Sequence, residues 1–117
     1  MASPDRKREE LFARLSLEEI NSGTFYGKWS KPKANALIKS YSPIDGSLLA
    51  SVSPTSPVDY DKLVSHSEKS YTEWVEIPPP KRGSVMLKIG QALRNAKEDL
   101  GMLVTLEAGK TISEVKG

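Results

Sequence analysis

The chain contains no cysteine. That excludes a disulfide framework, a thiolate metal site and a cysteine nucleophile among these residues. One histidine, His66, is present, so no pair of imidazoles can frame a metal site. No apolar run approaches the roughly 20 residues that a membrane-spanning helix needs. The opening "MASPDRKREE" is charged throughout and lacks the apolar centre of a secretory signal. The formal net charge is only +2, too small an excess to argue for a nucleic-acid partner. Lys28, Lys31, Lys33 and Lys39 form a locally basic stretch. No aromatic stacking platform is interleaved along it, so it reads as a solvated loop and strand edge. There is no Gly-x-Gly-x-x-Gly, hence no dinucleotide fingerprint, and neither an internal repeat nor a low-complexity tract. The absence of cysteine agrees with a cytoplasmic protein.

What is present is ordinary for a globular domain. Hydrophobic residues make up 38% and charged residues 27% of the 117 positions, enough for one modest core. A first helix is predicted from Ser3 as cap, Pro4 at the first helical position and Asp5 near the positive helix end. Its apolar face is Leu11, Phe12 and Leu15, and Asn21, Ser22 and Gly23 end the region. "TFYGKW" reads as a short aromatic strand interrupted by Gly27. Two β-prone runs, Leu37–Tyr41 and Leu48–Val52, flank Pro43 and Asp45-Gly46, which predicts a hairpin with a loop longer than two residues.

A long helix follows. Ser56 is its cap, Pro57 its first residue, and Asp59 is placed to complete a capping box. Tyr60, Leu63, Val64, Ser67, Tyr71, Trp74 and Val75 make a stripe at helical spacing that reads as a core-facing surface rather than a cofactor box. Pro78, Pro79 and Pro80 stop this helix, because they lack N–H donors and restrict the residue before them. The last of them fits the first turn of the next helix, so the prolines form a corner and not an exposed polyproline ligand. Val85, Ile89, Leu93 and Ala96 mark that helix. "NAKE" offers a cap at Asn95 with Glu98 three residues on, and Leu100, Leu103, Val104 and Leu106 carry a further helix that Gly109 ends.

Several motifs resemble chemistry without supporting it. "EAGKT" has the Gly-Lys-Thr of a phosphate-binding loop, but Val104 stands at the required first glycine and the preceding segment is helical. His66 lies between Ser65 and Ser67 with Glu68 nearby, yet neighbouring helical residues diverge and cannot assemble a triad. Glu9-Glu10, Glu18-Glu19 and Glu98-Asp99 are consecutive carboxylates that suit solvated faces and helix starts.

Four stretches in order, "EEINSGTFYGKW", "YSPIDGSLLASV", "WVEIPPPKRGSVMLKIGQALR" and "LGMLVTLEAGK", resemble the N-terminal part of aldehyde dehydrogenases, with the first and third nearest the antiquitin branch. The resemblance covers about Leu11 to Gly117. It implies an α+β chain of N-terminal helix, short strand, hairpin and two to three amphipathic helices. In the family this is the N-terminal part of an α/β, Rossmann-like fold, so residues 1–117 are expected to be an incomplete cofactor-binding domain. The complete enzymes are oligomeric oxidoreductases that oxidise an aldehyde to a carboxylic acid with NAD or NADP. They work through a cysteine thiolate, an oxyanion-holding asparagine and a water-activating glutamate.

Those residues, and the cofactor-binding lysine, lie further along the family's chain. No catalytic, cofactor-binding or metal residue is therefore assigned to this sequence, and neither NAD nor NADP is expected to bind it alone. One weaker transfer is a monovalent-cation position that some members build from strand carbonyls and a helix acid, matching Ser40, Tyr41 and Glu107. The expectation is an N-terminal portion of the enzyme, inactive by itself, whose partners are the remainder of the fold or a homologous subunit. Neither nucleic acid nor a membrane is expected as a partner. The alternatives are an interaction module pairing with a full-length relative, and an unrelated helical adaptor.

Overall fold

A computed structural model describes residues 3–117. The order of elements is α1 (Pro4–Arg14), β1 (Ile20–Ser22), β2 (Ile38–Tyr41), β3 (Leu48–Ser53), α2 (Pro57–Glu76), α3 (Pro79–Asn95), α4 (Lys97–Ala108) and α5 (Ile112–Lys116). This is the α+β arrangement expected from the sequence, with two more helices after α3 where at most one was anticipated.

The helix starts follow local chemistry. The Ser3 hydroxyl accepts from the Arg6 amide, and the Ser56 hydroxyl accepts from the Asp59 amide at 3.1 Å. Only that arm of the anticipated box at Ser56 forms. α2 stops at Glu76, and both Pro79 and Pro80 occupy the first turn of α3, so the corner is tighter than one proline at the helix start implies. The cap expected at Asn95 does not form. α3 runs through Asn95, and the chain passes into α4 across Ala96 alone, with no side-chain cap bond. Ala96 satisfies its own N–H on Ala92 and Leu93, and its carbonyl accepts from Leu100, so backbone bonds take the place of the cap. Gly109 ends α4 in the left-handed region (φ 71°), where glycine has no Cβ penalty. α5, not anticipated, starts with a full capping box between Thr111 and Glu114.

The sheet has the order β1-β3-β2. β2 and β3 form the expected antiparallel hairpin, with a register irregularity at Ser40/Tyr41, and β1 lies parallel to β3 on its other edge. "TFYGKW" is not a strand. Gly27 takes φ +88° and folds the segment back on itself, with a single bridge from Phe25 to Trp29 and their rings edge to face, 5.0 Å apart. The third strand is instead the polar Ile20–Ser22, held by ladder bonds. Gly23 closes it with an N–H to the Ser53 carbonyl, and a Cβ there would stand 2.6 Å from that oxygen.

Packing divides the chain. α1, the sheet, α4 and α5 enclose the small core, where Leu11 is buried and Leu103 and Leu106 are half-buried. The Arg14 guanidinium donates to both Asp99 oxygens at 3.0–3.2 Å, fastening α1 to α4. The Arg8 guanidinium donates to the Ser47 hydroxyl at 2.8 Å and faces Asp45, tying α1 to the hairpin turn. α2 and α3 contribute no buried residue. Their apolar stripes, read from sequence as core-facing, stand open: Tyr60 and Tyr71 on α2 and Leu87 and Leu93 on α3 are all more than half exposed. The radius of gyration, 17.5 Å, exceeds the roughly 13 Å of a compact domain of this length.

Candidate functional site

The sequence brings together one candidate constellation, at the seam between β2 and α4. Glu107 sits in the last turn of α4, and Gly109 behind it packs on the hairpin turn, where an added Cβ would lie 3.3 Å from Pro43 Cγ. That close approach draws α4 under the hairpin. The Ser40 hydroxyl, on β2 next to the register irregularity, donates to Glu107 Oε1 at 2.6 Å. Asn21, Leu49 and Leu103 help line a cavity of about 170 Å³ beside this pair. Tyr41, the third matching position, keeps its side chain more than half exposed. Ser40 and Glu107 are thus brought together, and the Tyr41 side chain is not part of the cluster.

What this arrangement does chemically is limited. One carboxylate and one hydroxyl supply fewer oxygens than the six or more that a hard cation of the calcium type gathers. Among the described residues no group of three or more His, Asp or Glu side chains converges. The Ser40–Glu107 bond is a cross-element fastening: a charge-assisted hydrogen bond is shorter and stronger than a neutral one.

The other candidate residues are accounted for by local structure. His66 is exposed on α2 and meets the Tyr26 ring edge-on. The Ser67 hydroxyl donates to the Leu63 carbonyl within the helix, so no hydroxyl is presented to the imidazole from that side. Glu10 pairs with Arg6 one turn away, Asp99 with Arg14 and Glu98 with Lys116. The consecutive carboxylates therefore fasten helices rather than face one another.

Three groups have displaced acidities, each from a fastening contact. The Asp45 carboxyl is held below the ordinary carboxylate value, first by the Ser47 hydroxyl and then by the Ser47 amide, with Arg8 adding to both. The Glu114 carboxyl is lowered by the amide and the hydroxyl of Thr111 in the capping box of α5. Arg14 is raised, chiefly by its hydrogen bonds to Asp99. All three lie at helix or turn junctions, and none lies beside the Ser40–Glu107 pair.

The buried polar residues, which sequence reasoning missed, organise the loop after β1. Thr24 is buried and its hydroxyl shares a 2.7 Å hydrogen bond with Thr55. Ser53, also buried, accepts from the Lys33 amide. Composition carries no signal for them, because serine and threonine are most often exposed.

Comparison with known proteins adds what the geometry lacks. Residues 29–117 match the aldehyde dehydrogenase family. The chain is 38% identical over 103 residues to an aldehyde dehydrogenase family 7 member A1 homolog of Caenorhabditis elegans, covering 88% of this chain and 19% of that protein. It is 39% identical over 100 residues to the alpha-aminoadipic semialdehyde dehydrogenase of Rattus norvegicus, covering 86% and 18%. It is 31% identical over 91 residues to a malonate-semialdehyde dehydrogenase of Bacillus pumilus, covering 78% and 19%. The chain spans about a fifth of the length of these relatives. The likeness runs from the Trp29 loop through the hairpin, the proline corner and the Gly109 cap, the features that shape this fold, and on that ground the chain belongs to the aldehyde dehydrogenase family.

Proposed function

We propose that this chain is the N-terminal portion of an NAD- or NADP-dependent aldehyde dehydrogenase, a scaffold for the cofactor-binding domain that does no chemistry by itself. The observation that carries the proposal is the open state of α2 and α3: two amphipathic helices of 20 and 17 residues without a buried side chain. Helices of that length draw most of their stability from burying an apolar face, so these two are built to be covered. Membership of a family whose named relatives are about five times longer supplies the covering surface.

A nicotinamide dinucleotide does not fit the residues present. Its pyrophosphate needs a glycine-rich turn from strand to helix. The one Gly-Lys-Thr here follows α4, with Gly109 packed on Pro43 and Thr111 engaged in the cap of α5. No step through the cofactor is assigned to this chain. The substrate suggested by the named relatives is a small semialdehyde.

The test joins two measurements. The transcript is read past the Gly117 codon, and the 117-residue chain is assayed for aldehyde-dependent NAD(P)H formation. A continuation encoding a cysteine and a glutamate in the family's context, with a silent isolated chain, is the expected result. A firm stop with nothing related downstream overturns the proposal and favours the second reading, in which the open α2 and α3 faces dock on a full-length relative. Aldehyde oxidation by the isolated chain overturns both.

A further inference from the structure

The polar side of α2 carries a feature that neither the family likeness nor the apolar stripe uses. Lys62, Ser65, His66 and Lys69 recur at i, i+3, i+4 and i+7, one side of the helix. With Asp61 and Tyr26 they line an open hollow of about 500 Å³. Tyr26 reaches this side because Gly27 turns the loop at φ +88° and lacks a Cβ, which would stand 3.4 Å from His66 Nε2. The Tyr26 and His66 rings meet edge to face at 6.1 Å. Lys28 Nζ lies over the other partner of that contact, 6.0 Å from the Tyr26 centroid.

Two elements therefore deliver cations to one place. None of Lys28, Lys62 and Lys69 has a carboxylate partner among the described residues, whose ion pairs all lie elsewhere. Asp61 is the one acid that lines the hollow. At about 100° per residue, Lys62 and Lys69 stand roughly opposite Tyr60 on the helix. The hollow thus stays open when the apolar stripe is covered, and its occupancy is independent of the function proposed above.

We propose that this hollow binds a multivalent phosphate-type anion, held by Lys62 and Lys69 from α2 and Lys28 from the loop, with the Ser65 hydroxyl as a further donor. Ammonium groups act on phosphate as point charges with rotatable donors. A single carboxylate ligand would neutralise one of three unpaired cations, whereas a polyphosphate spans the set. A concave surface of one sign also concentrates such anions.

The test is calorimetric titration of the 117-residue chain with inorganic tripolyphosphate at low salt. Saturable one-to-one binding that weakens as salt is added is expected. The Lys62→Ala, Lys69→Ala pair should lower affinity about tenfold or more, and Lys28→Ala, on a separate element, about threefold or more. A Lys81→Ala, Lys88→Ala pair on α3 makes the same change of net charge and should leave affinity within about twofold. Helix content by circular dichroism checks that each variant folds as the parent does. Absence of saturation, or an equal loss from the α3 pair, overturns the proposal. A second arm with ATP separates the sources: equal affinity assigns the polyphosphate alone, and tighter binding assigns a nucleotide.

Discussion

Replacing both Gly83 and Gly90 with alanine should slow amide exchange across α3 by about 30-fold. Both glycines lie in the interior of α3, and a Cβ built on either meets no atom within 4 Å. Each substitution therefore brings helix propensity without a packing penalty, about 1 kcal/mol in favour of the helix. The two sites are seven residues and about 10 Å apart along the axis, far enough for their effects to add. Some 2 kcal/mol at about 1.4 kcal/mol per factor of ten gives the 30-fold figure. Because α3 has no buried side chain, it should open by itself, near the low-stability end of local unfolding. Hydrogen exchange resolved by mass spectrometry or NMR reads this directly. Slowing confined to α3, with β3 amides unchanged, is expected. Equal slowing in β3 would show that α3 melts together with the sheet, and no slowing in α3 would show that its glycine face is already packed; either result refutes the reasoning.

Three further outcomes follow from named contacts. Gly23→Ala forces a Cβ to within 2.6 Å of the Ser53 carbonyl oxygen, a backbone atom, and should cost about 1–3 kcal/mol as overpacking. In urea titration of the sheet signal it should exceed the cost of Gly46→Ala, where φ is +74° but the space is open. Leu11→Ala empties the buried centre between α1 and α4 and should cost about 2–3 kcal/mol, the low end for leucine because the small core can collapse. Acidification should loosen the hairpin turn and α5 before the Arg14–Asp99 fastening is lost. The Asp45 and Glu114 carboxyls are depressed in the folded chain, so their stabilisation is fully present above the ordinary carboxylate values of 3.8 and 4.5. It is lost as pH falls through the lower folded values. Exchange at Ser47 and Val115 between pH 5 and about pH 2 reads it, and Glu114→Gln should remove the pH dependence at Val115.

Much of the helical layout was legible because its signals are local. A serine before Pro4 or Pro57 announces a helix start through the bond its own hydroxyl makes two or three residues on, and Gly109 announces an end through a backbone angle other residues avoid. The hairpin was legible for the same reason. β1 was not: Asn21 and Ser22 carry no alternation and little β propensity, and they are extended because β3 offers a parallel partner more than 25 residues away in sequence. "TFYGKW" misled in the opposite sense, since aromatic residues favour strands while Gly27 turns the chain. Asn95 misled because a capping sequence has no effect where two helices abut across a single residue.

Of the candidate site, sequence likeness brought Ser40 and Glu107 forward, but their 67-residue separation is bridged only by α4 settling under the hairpin. The convergence of Lys28 with Lys62 and Lys69 was invisible for the same reason: it depends on where a glycine turn lands against a helix. By itself the sequence determined the family, the helix boundaries set by caps and prolines, and the lack of a thiol nucleophile, all of which reside in residue identity and near-neighbour bonds. The tertiary structure alone decided the sheet order, which polar side chains are buried, and which apolar faces remain open. Those depend on contacts between segments far apart in the chain, where burial and steric fit outweigh local preference.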